Sequence, residues 1–417
     1  MTSARNHALL TLCRWFGGLA VAAGISGCAL PDEAFRNYAG AKRLDEWTGV
    51  LGALSGSSVR RAESAGQIPL YNGAVSMNVP TQSSSINNIA RLFAGMDGGG
   101  LSNVRGSSAW ASHKIRMDHL WATHQNAHRA PLQTWAASEI GDVQGANALF
   151  YPFSGPDFLF ASAICPSAET YVLVGLEPAE PLPRLESLSQ AEIERGLYGL
   201  HNSVSTIMTS SYFITTEMKN DLVATRFRGV LPIILAFMAR TGHSIESVDT
   251  VRLDGAGNVT LAGSSGNTGL MIRCRNGFGG SKRVFYFRQD LSNGGGAGPL
   301  LNYVSRLGRI PAFMKSASYL MHENGFSSIR DFILRHSSVI VQDPSGIPYR
   351  EFNRQGWELN LYGNHRGTLS IFSGCQQPDL TAAYSSGRHP VKPLNFGIGY
   401  LMNPETTCLM VGRPARR

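Results

Sequence analysis

No short motif in this chain fixes a reaction class by itself. GxSxG is absent, which removes the nucleophile elbow of the α/β-hydrolase sheet. There is no P-loop and no GxGxxG; Gly277-Phe278-Gly279-Gly280 lacks the third glycine and the strand-to-helix context. HExxH and the EF-hand loop are missing, and no two cysteines are spaced CxxC, so neither a zinc ribbon nor a thioredoxin-like site is supported. No cofactor is therefore expected. Charge is also scarce: Asp, Glu, Lys and Arg make up 16% of the chain, against about 25% in an average globular protein. That argues against a charged coiled coil and, with Gly, Ser and Asn in their place, against wholesale disorder. The net charge of +8 is spread out apart from a short RPARR tail. Without a basic stripe interleaved with aromatics, nucleic acid is excluded as a partner, while affinity for an anionic surface stays open.

What is present is apolar content, 43% of 417 residues, enough for one large core or two ordinary ones. The strongest local signal is at the start. Arg5 and Arg14 form a positive n-region, and Trp15 to Ile25 is an apolar stretch too short for an ordinary spanning helix. It ends in Ile25-Ser26-Gly27-Cys28, which resembles the bacterial lipobox. That resemblance implies a signal peptide over 1–27 and a lipidated Cys28 as the mature N-terminus. Each buried CH₂ of the lipid would contribute about 0.8 kcal/mol of anchoring. Ala29 follows the cysteine rather than Asp, so the resemblance favours the periplasmic side of the outer membrane over the inner. Cys165, Cys274, Cys375 and Cys408 then remain. In an oxidising compartment they form two disulfides in one of three connectivities, or stay as buried thiols.

Residues 28–84 read as a tether and 85–146 as a helical segment. A helix is expected over 86–96, and a second from a Ser107 or Ser108 cap to about Ala130, where Pro131 intervenes. The second carries His124 and His128, four apart on one face with Trp110, Met117 and Trp121. They are candidate metal ligands, set against the alternative of an aromatic stripe packed on the rest of the protein. From 147 to 417 the pattern is α+β: mixed or antiparallel sheets with packed helices. Ala148–Phe153 reads as a strand, and Tyr171–Gly175 as a buried one. A capping box, Ser189 with Glu192, starts a helix, and Val230–Ala239 is a core helix. An antiparallel meander follows from Ser247. Pro311–His322 is expected to be helical, Trp357–Tyr362 and Thr368–Phe372 a hairpin, and Phe396–Leu401 and Cys408–Val411 closing strands. The echo of Phe150-Tyr151 in Phe285-Tyr286-Phe287 suggests two related halves.

Polar residues collect at expected strand ends: Ser154, Asp157, Glu177, Gln289, Asp290, Asp343 and Glu351. Ser154, Asp157 and Asp343 are the catalytic candidates, because paired carboxylates beside a hydroxyl suit acid–base work. Helix capping and turn formation are the competing account of all three. The runs FYPFSGPDFLFA, TYVLVGLEP, FRGVLPIILAFMARTG, SVIVQDPSGIPYREF and WELNLYG resemble a group of uncharacterised exported bacterial proteins, lipoproteins among them. The resemblance covers roughly 85–417 and implies no activity. Two functions are expected: a membrane-anchored envelope lipoprotein binding a small-molecule ligand or an envelope protein, or a periplasmic hydrolase-like enzyme.

Overall fold

Continuous apolar runs set the centre of the molecule. In chain order the strands are β1 (Ala148–Tyr151), β2 (Thr170–Gly175), β3 (Ser244–Leu253), β4 (Val259–Leu261), β5 (Gly269–Arg275), β6 (Ser281–Arg288), β7 (Ile310–Met314), β8 (Ser337–Gln342), β9 (Trp357–Gly363), β10 (Val391–Lys392) and β11 (Cys408–Pro414). They form one mixed sheet in the order β10-β9-β11-β8-β7-β1-β2-β6-β5-β3-β4. This computed structural model describes residues 82–182, 184–212, 225–262, 269–277, 279–387 and 389–415. The expected signal peptide, Cys28 and nearly all of the 28–84 tether lie outside them.

The fold is α+β. Its middle is five parallel strands, β8-β7-β1-β2-β6, with antiparallel pairings outside them on both flanks. Of these parallel strands, β1, β2 and β7 are buried on both faces, which is why they read as unbroken apolar runs rather than alternating ones. One face is covered by the N-terminal helices together with helices Phe158–Ile164, Gln190–Ser210 and Leu231–Arg240, in a core shared with Leu149, Leu173 and Val341. The helical segment is thus packed onto the sheet. The other face is covered by helices Gly298–Arg306 and Ser327–His336 against Phe150, Val172 and Ile340.

Several local expectations hold for stated reasons. Ser107 caps helix Ser108–His124 by accepting from Trp110 N. Ser189 and Glu192 form the capping box of Gln190–Ser210. Antiparallel strands β3, β4, β5 and β6 do form there, but in the order β6-β5-β3-β4, with β5 on β3 rather than on β4, so they are not the simple meander expected. Others are corrected. Pro131 does not end the helix: a π-helical turn, Gln125–Arg129, absorbs the change, and Pro131 sits in the first turn of helix Ala130–Glu139, where its missing N–H costs nothing. Pro311–His322 is not a helix. Ile310–Met314 is the fully buried strand β7, and the register shift between Ile310 and Ala312 against β8 accommodates the proline inside a central strand. Ser370–Cys375 is a 3₁₀ turn, and β9 instead pairs with β11 and β10. Of Phe396–Leu401 only an isolated Ile398–Leu401 bridge forms. The Phe-Tyr echo is β1 and β6, which flank β2 within the same sheet rather than heading two halves.

Candidate functional site

Counted along the chain, the five parallel strands have the spatial order 3-2-1-4-5. The chain leaves β1 toward β2 and β6, then returns to β7 and β8 on the other side. Connections therefore diverge between β1 and β7, and in open α/β sheets the crevice at the carboxyl ends of such strands is where ligands bind. Three charged side chains converge there.

The loop after β1 supplies the first. Phe153 and Gly155 both have positive φ, 59° and 53°, and turn the chain back onto β2. The Ser154 hydroxyl accepts from Val174 N at 2.9 Å, with Val174 O 3.3 Å away on the same strand. Asp157 Oδ1 accepts from Phe160 N at 3.0 Å and so caps helix Phe158–Ile164. Its Oδ2 accepts from the Tyr151 hydroxyl at 2.9 Å and lies 2.9 Å from Lys315 Nζ. Lys315 is the residue after β7. Its ammonium also donates to Ser211 O and stands 4.2 Å from the Phe160 ring centre. Asp343, the residue after β8, accepts from Ser316 N at 2.8 Å and from both the backbone N–H and the hydroxyl of Ser345.

Asp157, Lys315 and Asp343 are 1%, 3% and 3% exposed. Burial pushes the Asp343 carboxyl above its ordinary range, against the Ser345 and Ser316 hydrogen bonds that favour its charge. Burial likewise lowers Lys315, with Asp157 opposing. The backbone here is strained: Ser316, Ser318 and Tyr319 all adopt positive φ, between 52° and 54°. Ser316 Oγ is buried and has no hydrogen-bond partner among the described residues. Tyr400 holds the loop, donating to Ser316 O at 3.0 Å and meeting Ser318 Oγ at 2.9 Å. Its ring packs with Tyr212 and Phe372, and Phe372 with Tyr319, to form an aromatic wall.

Gly399 closes the Asp343 side. Its φ is +78°, and a Cβ would lie 2.3 Å from Asp343 Oδ2. Gly399→Ala is therefore expected to cost on the order of 1–3 kcal/mol, read as a lower urea midpoint at unchanged slope. An unaltered midpoint would show that Asp343 is free to move.

Two of the three catalytic candidates are thus brought together. Asp157 does cap a helix, as the simpler account has it, yet its second oxygen serves the cluster. Ser154 is the exception, because its hydroxyl is committed to bridging the turn to β2. Lys315, Ser316 and Tyr400 were not anticipated. The available signal was one lysine directly behind the apolar run IPAFM, which reading 311–322 as a helix hides.

The other candidates sit elsewhere. Glu177, after β2, accepts from the Tyr286 hydroxyl at 3.0 Å. Gln289 and Asp290 organise the loop after β6. Glu351 pairs with Arg350 and Arg354. His124 Nδ1 is 2.9 Å from Met208 O, with its ring 5.5 Å from His128. Among the described residues no group of three His, Cys, Asp or Glu is placed to hold a metal ion. Cys165, Cys274, Cys375 and Cys408 are all free thiols, so neither disulfide forms. Burial pushes the Cys165 and Cys274 thiols up to about 12, which keeps them protonated and unreactive. No helix among the described residues is long and apolar enough to cross a membrane.

The sequence matches no protein-family model, and no curated protein is significantly similar to it.

Proposed function

We propose that this chain is a lipid-anchored protein of the bacterial envelope that binds a small polar ligand at the switch point of its sheet. The supporting observation is the convergence of Asp157, Lys315 and Asp343 at the carboxyl ends of β1, β7 and β8. Buried ions are costly to keep, and well-packed apolar residues would serve stability as well. Shifted titration, strained backbone and a buried Ser316 hydroxyl without a partner among the described residues support reading the cluster as a ligand site. The anchor rests on the lipobox-like Ile25-Ser26-Gly27-Cys28 and on the resemblance to exported proteins.

The second reading, a periplasmic enzyme, draws on the same cluster. Asp343, whose burial favours the protonated acid, and Lys315, whose burial favours the neutral amine, are suited to proton transfer. Ser154 has no part in it.

The anchor is tested by expressing the full chain with labelled fatty acid. Wild type carries label and sediments with membranes, and Cys28→Ala loses both; a variant that keeps its label and sediments would refute lipidation. The ligand site is tested by thermal shift against nucleosides, sugar phosphates, amino acids and short peptides. At least one class is expected to raise the Tm of wild type and to lose its effect in Ser316→Trp. A panel without any such shift overturns the site.

A further inference from the structure

The helical face of the sheet holds a second group of charges, all of one sign. Arg129 ends the π-helical turn Gln125–Arg129, and turns of this kind recur at functional sites. Its Nη1 donates to Gln133 Oε1 at 2.9 Å, which fixes the plane of the guanidinium. Its Nε is buried and has no hydrogen-bond partner among the described residues. Nη2, on the same edge as Nε, makes no hydrogen bond among them either, and the half-buried side chain brings it to solvent. The unused edge is therefore one whose two N–H groups run in parallel and match two oxygens of a carboxylate or a phosphate.

His243 and Lys282 lie near it, 9% and 3% exposed. The His243 ring packs edge-on against Phe158 at 5.0 Å, and Phe158 against Tyr171 at 5.1 Å. Lys282 Nζ stands 5.7 Å from the Tyr171 ring centre and donates to Pro166 O and Ala168 O. Burial first, then the charges of Lys282 and Arg129, hold His243 down at about 4, so the ring is within electrostatic reach of both cations. Burial also lowers Arg129 and Lys282 from their ordinary ranges. Among the described residues no carboxylate forms an ion pair with any of the three, and the one that offsets Lys282 from a distance is the exposed Glu169. Buried charge without a counter-ion is costly, and packed apolar side chains would remove that cost. An entering anion supplies the missing partner.

We propose that this part of the helical face binds a small oxyanion, a carboxylate or phosphate group, on the paired Nε–H and Nη2–H of Arg129, with His243 and Lys282 adding positive potential. None of Asp157, Lys315 and Asp343 takes part, so the site goes beyond the switch-point ligand and does not depend on it.

Titration calorimetry of the purified chain at constant ionic strength, with sodium phosphate, sodium succinate and sodium chloride, tests it. Phosphate or succinate is expected to bind, and chloride at least tenfold more weakly; the preference between the two oxyanions tells a phosphate ligand from a carboxylate one. Arg129→Lys keeps the charge but loses the paired donors, and is expected to weaken binding tenfold or more. Arg129→Met is expected to abolish it; if that variant fails to fold, the Lys comparison decides. Binding of neither oxyanion at millimolar concentration, equal affinity for chloride, or full affinity in Arg129→Lys overturns the proposal. A thermal shift that survives Ser316→Trp and vanishes in Arg129→Lys belongs to this site rather than to the switch point, which separates the failure of one reading from that of the other.

Discussion

Lys315→Met is expected to lower the unfolding free energy by about 3–5 kcal/mol, because it leaves a buried carboxylate without its partner. Asp157 would keep the Tyr151 hydroxyl and the Phe160 N–H but lose its ammonium 2.9 Å away. Met fills much of the lysine's volume, so the loss reports charge more than cavity. Asp157→Asn removes the charge on the other side while retaining an oxygen for the helix cap. Combining the two substitutions is expected to cost clearly less than the sum of the single losses, since no uncompensated ion then remains. Urea unfolding of the two single variants and the double variant measures the coupling. Strict additivity would mean that Asp157 and Lys315 do not act as a pair, and the charged site would lose its foundation.

Acid is expected to unfold the protein well before ordinary carboxylate titration is complete. Burial lowers five histidines, His113, His124, His243, His322 and His365, to about 4. His113 Nε2 is held 2.9 Å from Phe93 O, and His124 in the same way by Met208 O, which fits neutral rings in packed surroundings. The unfolded chain takes up protons near 6.5, whereas the folded one resists until about pH 4. More protons are bound by the unfolded state within that window, so stability is complete above it and falls as pH drops through it. Each group contributes about 3 kcal/mol across the window, and five together exceed a typical total stability of about 5–15 kcal/mol. Asp343 acts in the opposite sense, because its raised folded value relieves a burial penalty as pH falls; it is one group against five. Melting temperatures between pH 7 and pH 4 measure the effect, and His113→Phe should flatten the profile. A Tm unchanged over that range would contradict the burial of these rings.

The two carboxylates of the site were legible in the sequence, and their counter-ion was not. Asp157 and Asp343 stand behind apolar runs, ALFY and SSVIVQ, that can hardly be anything other than buried strands. Lys315 stands behind such a run too, but IPAFM contains a proline, which speaks against a central strand unless a register shift absorbs it. Only pairing with β8 reveals that shift. Ser211, Gly399 and Tyr400 join the site through contacts that span about eighty residues or more of chain, and a local pattern carries no such information.

By itself the sequence determined the α+β class, the helix caps at Ser107 and Ser189, and the buried strands at β1 and β2. These depend on neighbours a few residues apart, where propensity, capping and side-chain period act. Tertiary structure alone decided that the strands join in a single sheet with a 3-2-1-4-5 parallel centre. It also decided that Ser154 bridges a turn, that four cysteines stay unpaired, and that a lysine and two aspartates meet at the switch point. Strand order is set by which apolar faces cover one another across the whole chain, and the ends of strands inherit their chemistry from that order.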